Sequence, residues 1–232
     1  MTLISNIKRV PDFVTQDDLG VLANFCKNNA ELNASVSRAI TQADFNTEIS
    51  AWVKSYTSRV GRKITESYGF DVDDMCGTAL RNWYPGEKQD PHSDCEATFF
   101  REQDSEEFAM TPINNFSSIF IEYAALTYLN DDYEGGEIYF PGYDLEIKPL
   151  PGELIFFPGT QHYMHGVREV VSGNRYALMT FFTTPKLKYI WKTFVEDQSP
   201  MTIIERSADE SMKSSGIFTR ANMPRNLLEY FQ

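Results

Sequence analysis

Histidine and cysteine are both scarce in this chain: three of each in 232 residues. The cysteines, Cys26, Cys76 and Cys95, are odd in number and show no C-x-x-C spacing, which excludes a disulfide framework. A reducing compartment suits such a chain, and we expect a cytoplasmic protein. No apolar run reaches the length of a membrane span. Residues 1–8 lack the basic segment and apolar core of a secretory leader. Basic residues are outnumbered, with 21 Lys and Arg against 33 Asp and Glu and a formal charge of −12. That excess repels nucleic acid and anionic membranes at long range, so neither is expected as a partner. A peptide, a protein or a small molecule remains compatible. Internal repeats and low-complexity stretches are also missing, and the length suits one well-buried domain.

What is present gathers around the histidines. His92 lies in Pro91-His92-Ser93-Asp94, and His162 and His165 lie in Gln161-His162-Tyr163-Met164-His165-Gly166. Two imidazoles and one carboxylate on one face of an octahedron are the ligand set of mononuclear non-heme iron, with the opposite face left open. On a strand, residues i and i+2 point the same way, so His92 and Asp94 are expected to project together while Ser93 and Cys95 face away. His162 and His165 are three apart, which on a strand puts them on opposite sides, so only one of them is expected at the metal. His165 opens an apparent strand, 165–171, that ends in the turn Ser172-Gly173-Asn174. A hairpin there would return Arg175 to the side of His165. His165 is therefore the expected third ligand, with His162 at the rim.

The rest of the chain supplies support. Thr15 followed by Asp17 and Asp18 reads as a helix start, with Leu19, Leu22, Ala23, Phe25 and Cys26 at helical spacing. A second helix is expected over 45–68, burying Trp52, Val53, Tyr56, Val60 and Ile64. From residue 78 the pattern turns to strands at 78–84, 119–130, 137–140, 145–148, 154–157 and 176–183. Pro-Gly, Asp-rich and Gly-Gly turns separate them, a pattern that suits a sandwich or barrel. The polar stretch 96–117 reads as a solvated loop, or else a lid following Asp94. The tail after Pro185 reads as two short helices.

With those pieces placed, the chain resembles the 2-oxoglutarate- and Fe(II)-dependent dioxygenases, most of all their prolyl 4-hydroxylase-like branch. The likeness runs over 80–184. It is carried, in the family's order, by Trp83-Tyr84-Pro85-Gly86, His92-Ser93-Asp94, Leu126-Thr127-Tyr128-Leu129-Asn130, Gly135-Gly136-Glu137, Phe156-Phe157-Pro158, and His165-Gly166-Val167 through Arg175-Tyr176.

The resemblance implies a mainly β fold with supporting helices and a double-stranded β-helix (jelly-roll) core. We expect one domain over 1–232, with mostly helical support in 1–77, the jelly-roll catalytic core in 78–184 and a helical extension in 185–232. Carried over residue by residue, His92, Asp94 and His165 match the iron ligands. Arg175 matches the partner of the distal carboxylate of 2-oxoglutarate, a role that suits a bidentate guanidinium. Tyr128 matches a position whose hydroxyl bonds that carboxylate, and Tyr84 a position near the cofactor. The implied cofactors and cosubstrates are Fe(II), 2-oxoglutarate and O2, with ascorbate a further candidate. A carboxylate at Asp94, where related halogenases leave room for chloride, implies hydroxylation. The branch implies a prolyl residue in a peptide or protein as substrate. A free amino acid or other small molecule is the alternative. A cupin-like metal-binding module without turnover, or a zinc hydrolase, would leave Arg175 unexplained.

Overall fold

The computed structural model describes residues 3–29, 40, 44–95 and 121–188. The expectations for the 96–117 stretch and for the tail beyond residue 188 lie outside them. Two helices, α1 (Gln16–Asn28) and α2 (Thr47–Tyr68), precede most of the strands. Each starts where its sequence says it should. Thr15 Oγ1 accepts from the Asp18 amide at 3.2 Å, and Asn46 Oδ1 accepts from the Ile49 amide at 2.9 Å. Both caps satisfy backbone donors that a helix start leaves open. α2 stops at Gly69, whose φ of 81° is the left-handed conformation that favours glycine.

Among the described residues, eleven strands follow the jelly-roll plan: β1 (Lys8–Val10), β2 (Asp73–Trp83), β3 (Gln89–His92), β4 (Tyr123–Tyr128), β5 (Glu134–Gly135), β6 (Ile138–Phe140), β7 (Leu145–Ile147), β8 (Leu154–Pro158), β9 (His165–Val167), β10 (Val170–Ser172) and β11 (Arg175–Thr183). A five-stranded sheet runs β1-β8-β4-β11-β2, a four-stranded sheet runs β3-β9-β6-β7, and β10 pairs with β5. Every pairing between these strands is antiparallel.

The five-stranded sheet is buried on both faces, which is why its inner strands read as nearly unbroken apolar runs. One face presents Ala125, Leu154, Phe156, Leu178 and Phe182 to the α2 stripe of Ile49, Val53, Tyr56, Val60 and Ile64. The other presents Leu126, Tyr128, Ile155 and Phe157 toward Ile138, Phe140 and Ile147 of the four-stranded sheet. Side chains that alternate along each strand explain how one strand serves both layers. Buried hydroxyls join α2 to the sheet. Tyr56 Oη donates to Thr127 Oγ1 at 2.9 Å, and Thr57, Thr78 and Thr180 form a chain with spacings of 2.6 and 2.7 Å. Tyr56→Phe leaves the Thr127 hydroxyl buried without that donor. Chemical denaturation is expected to show a loss of about 1 kcal/mol, and no loss would mean the bond adds nothing to the helix–sheet contact.

Within the mostly helical 1–77 region, β1 also adds to the edge of β8 and β2 begins at Asp73. Three residues are too short a run for periodicity to register. β1 is held by its side chains as well: Arg9 grips the buried Glu153 through two bonds of 2.6 and 2.9 Å. Three expectations change. The single strand expected over 165–171 is two strands, because the chain leaves one sheet at Arg168 and Glu169 to pair β10 with β5. The hairpin expected between His165 and Arg175 is absent for the same reason. β11 pairs with β2 and β4, so Arg175 belongs to the five-stranded sheet and His165 to the four-stranded one. Finally, the strand carrying His92 ends there, and Asp94 follows in a bend.

Candidate metal and cosubstrate site

β3 and β9 place His92 and His165 directly opposite each other across the antiparallel ladder. Their rings lie 4.5 Å apart between centroids. Each imidazole is fixed from behind by a backbone carbonyl. His92 Nδ1 donates to Asp90 O at 3.0 Å, and His165 Nδ1 donates to Tyr163 O at 3.1 Å. With the proton held on Nδ1, each Nε2 presents its lone pair forward, as metal-binding histidines do. Asp94 reaches the same place from its bend. Its Oδ1 lies 3.8 Å from His92 Nε2, and its Oδ2 lies 3.6 Å from His165 Nε2. The bend is set by Gly159, whose carbonyl accepts from the Cys95 amide at 2.8 Å. A Cβ on Gly159 would meet the Asp94 Cβ at 3.3 Å.

The donor atoms of His92, Asp94 and His165 all lie within 4.8 Å of one another. A divalent ion bound at about 2.0–2.2 Å from each donor needs them about 3–4 Å apart, and the 3.6 and 3.8 Å separations suit that. Asp94 Oδ2 is buried without a hydrogen-bond partner among the described residues. A buried carboxylate oxygen with no donor is costly unless a cation meets it. Burial is the largest influence on His165 and holds its pKa below the ordinary imidazole value, against the opposing pull of Asp94; nearby His92 lowers it further. A neutral imidazole is the ligating form. Phe157 and Phe140 wall the ring at 4.7 and 5.9 Å, which keeps the site apolar on that side. The residues present therefore fit a metal ion of the nitrogen- and oxygen-preferring class. His162 stands exposed in the one-turn 3-10 helix Gln161–Tyr163, outside this group, and Cys95 is buried outside it as well.

The second half of the site is on the five-stranded sheet. Arg175 opens β11 opposite Trp83 of β2, and only 1% of it is exposed. Its Nη2 donates to Tyr128 Oη, while Nε and Nη1 have no partner among the described residues. The guanidinium carbon lies 4.2 Å from the Tyr128 ring centroid and 5.0 Å from that of Trp83. A buried guanidinium without a carboxylate is an expensive arrangement for stability alone. Nη1 and the second hydrogen of Nη2 form an edge that fits the two oxygens of a ligand carboxylate. Gly136, with φ of 67°, makes room: a Cβ there would sit 2.8 Å from Arg175 Cδ.

Tyr84 follows Trp83 at the end of β2, and its amide donates to Glu87 Oε2 at 2.9 Å.

Sequence reasoning missed Gln89. Its Nε2 donates to His92 Nε2 at 3.1 Å, to the lone pair that a bound metal would take in its place. Residues three apart on a regular strand face opposite sides, but the ladder register shifts between Gln89 and His92, and such a bulge re-aims a side chain. No signal in the sequence marks that shift.

A family model described as the 2OG-Fe(II) oxygenase superfamily matches residues 79–183. Among known proteins, human prolyl 3-hydroxylase 2 is 41% identical over 73 residues, which is 29% of this chain and 10% of that protein. Chicken (Gallus gallus) prolyl 3-hydroxylase 1 is 38% identical over 69 residues, 28% of this chain and 10% of the relative. The chain thus spans about a tenth of the length of these relatives. Among solved structures, a viral collagen prolyl hydroxylase from Paramecium Bursaria Chlorella virus-1, in complex with 2OG, aligns with a TM-score of 0.55 at 18% identity. The alignment covers 77% of this chain and 96% of that one. A Pseudomonas putida prolyl-4-hydroxylase aligns with a TM-score of 0.53 at 17% identity, covering 77% and 92%. These likenesses establish the shared jelly-roll fold.

Proposed function

From a chain whose residues 79–183 are those of the 2OG-Fe(II) oxygenase superfamily, we propose an Fe(II)- and 2-oxoglutarate-dependent dioxygenase that hydroxylates prolyl residues in a peptide or protein. When bound, Fe(II) and 2-oxoglutarate together activate O2, so that 2-oxoglutarate becomes succinate and CO2 while the second oxygen atom enters a C–H bond of the substrate. The protein's part is binding, orientation and exclusion of water. His92, Asp94 and His165 hold the ion on one side and leave the other side for ligands. Arg175 and Tyr128 hold the distal carboxylate of 2-oxoglutarate, which fixes the direction from which its oxo-acid end meets the metal. Asp90 and Tyr163 keep the two imidazoles in the ligating tautomer through their carbonyls. Phe140 and Phe157 keep water off the His165 side.

The observation that carries this reading is the pairing of two unmet demands inside one jelly roll. The Asp94 oxygen lacks a cation, and the Arg175 guanidinium lacks an anion, among the described residues. A metal and a dicarboxylate answer both. The prolyl substrate is supported by the similar proteins, prolyl 3-hydroxylase 2 and a prolyl-4-hydroxylase among them. No helix among the described residues is long and apolar enough to cross a membrane.

The test is incubation with Fe(II), 2-oxoglutarate and ascorbate together with proline-rich peptides, followed by mass analysis. The expected result is succinate formation and peptides that gain one oxygen atom on proline. Oxidation of a free amino acid with every peptide untouched would remove the prolyl substrate and leave the oxygenase. Absence of succinate under all conditions would remove the oxygenase.

A further inference from the structure

Arg175 is not alone in having donors to spare. The Tyr133 hydroxyl is buried, in a residue only 4% exposed, with the Arg175 guanidinium beside it and no well-formed hydrogen bond among the described residues. The indole N–H of Trp83, a residue 1% exposed, likewise has no hydrogen-bond partner among the described residues. Tyr133 lies in the loop between β4 and β5, and three contacts tie that loop to the start of β11. Asn130 Oδ1 accepts from the Tyr176 amide at 2.8 Å, Asn130 Nδ2 donates to the Asn174 carbonyl at 2.7 Å, and Gly173 packs so closely that a Cβ there would meet Tyr133 Cα at 2.8 Å. The Tyr133 ring and the Arg175 side chain converge over Gly136, where a Cβ would meet Tyr133 Cε2 at 3.1 Å as well as Arg175 Cδ. Tyr133 is therefore held in place by its backbone and its ring, and its hydroxyl contributes nothing to that anchoring.

We propose that Tyr133 is a further cosubstrate-binding residue, whose hydroxyl joins Arg175 and Tyr128 in holding the distal carboxylate of the 2-oxo acid. The inference rests on the oxygenase reading above. A carboxylate offers about four lone-pair sites. Arg175 supplies two donors along its Nη1–Nη2 edge. Tyr128 accepts from Arg175 through its oxygen and keeps its own proton to give. Tyr133 supplies a fourth donor, which matches the acceptor's capacity. A buried phenol left unsatisfied carries a desolvation penalty, and an acceptor placed between it and the guanidinium removes that penalty together with the guanidinium's own. Burial pushes the Tyr133 hydroxyl's pKa up, and the nearby Tyr128 hydroxyl adds to the rise against the pull of Arg175, so the group stays a proton donor. The site then selects a carboxylate at a fixed distance from the metal.

Tyr133→Phe removes only the hydroxyl. In the Co(II)-loaded protein, calorimetric affinity for 2-oxoglutarate is expected to fall about tenfold or more, the effect of one bond to a charged acceptor. Co(II) affinity is expected to be unchanged. The melting temperature without 2-oxoglutarate is expected to hold, because the ring packing is kept and no well-formed hydrogen bond is lost. Equal 2-oxoglutarate affinity in wild type and variant overturns the proposal. So does a weakened affinity that comes with a lower melting temperature or weaker Co(II) binding, since that marks a structural role. If the wild-type protein itself fails to bind 2-oxoglutarate, the oxygenase reading falls and takes this inference with it.

Discussion

Arg175→Met is expected to leave the protein at least as stable as wild type while 2-oxoglutarate binding falls by more than about 100-fold. The two halves of this result have different origins. The ligand's carboxylate loses two charge-assisted hydrogen bonds, each worth about 1.5–3 kcal/mol. The folded protein loses a buried cation that has no counter-ion among the described residues, and removing such a charge relieves desolvation. Stacking against Trp83 and Tyr128 offsets part of that relief, and Met keeps much of the apolar contact. Titration calorimetry and a thermal melt on the same two samples check both halves. Arg175→Lys keeps the charge and lacks the fork, so it is expected to recover only part of the affinity. A variant that melts far below wild type would mean that Arg175 is a structural cation, and the account of the carboxylate site would fail.

His165→Ala is expected to abolish metal-dependent turnover and weaken Co(II) binding by more than about 100-fold, which is the upper end of what losing a group that merely supports a ligand costs. His162→Ala is expected to do neither. The contrast comes from position. His165 is buried with its Nε2 3.6 Å from Asp94, whereas His162 is exposed in a one-turn helix outside the cluster. Metal titration followed by visible absorption, with succinate as a second readout, separates them. The reverse pattern, with His162 essential and His165 dispensable, would mean that the wrong imidazole has been placed at the metal.

Much of this site was legible in the sequence, for reasons that particular residues make plain. The cap at Thr15 and the apolar stripe of α2 are local signals, and local signals survive folding. The strands that became β4, β8 and β11 were legible because a sheet buried on both faces needs apolar side chains at every position. The convergence of His92, Asp94 and His165 is long-range, and it could be expected only because their order and types match a known metal-binding set.

What escaped depended on where strands change partners. Asp94 reaches the cluster from a bend, so the expected i, i+2 alternation was the wrong geometry for a correct neighbourhood. Arg175 faces the histidines' sheet from the other sheet, since β10 and β11 go to different partners. Gln89 needed a register shift, and Tyr133 needed the packing of one loop on another. Neither leaves a mark in periodicity.

The most direct measurement is a crystal structure of the protein prepared without oxygen, with Fe(II) and 2-oxoglutarate bound. The account predicts one iron coordinated by His92 Nε2, His165 Nε2 and an Asp94 carboxylate oxygen, with the far carboxylate of 2-oxoglutarate in hydrogen-bond contact with Arg175. Iron bound by any other set of side chains, or a 2-oxoglutarate whose far end points away from Arg175, would contradict it.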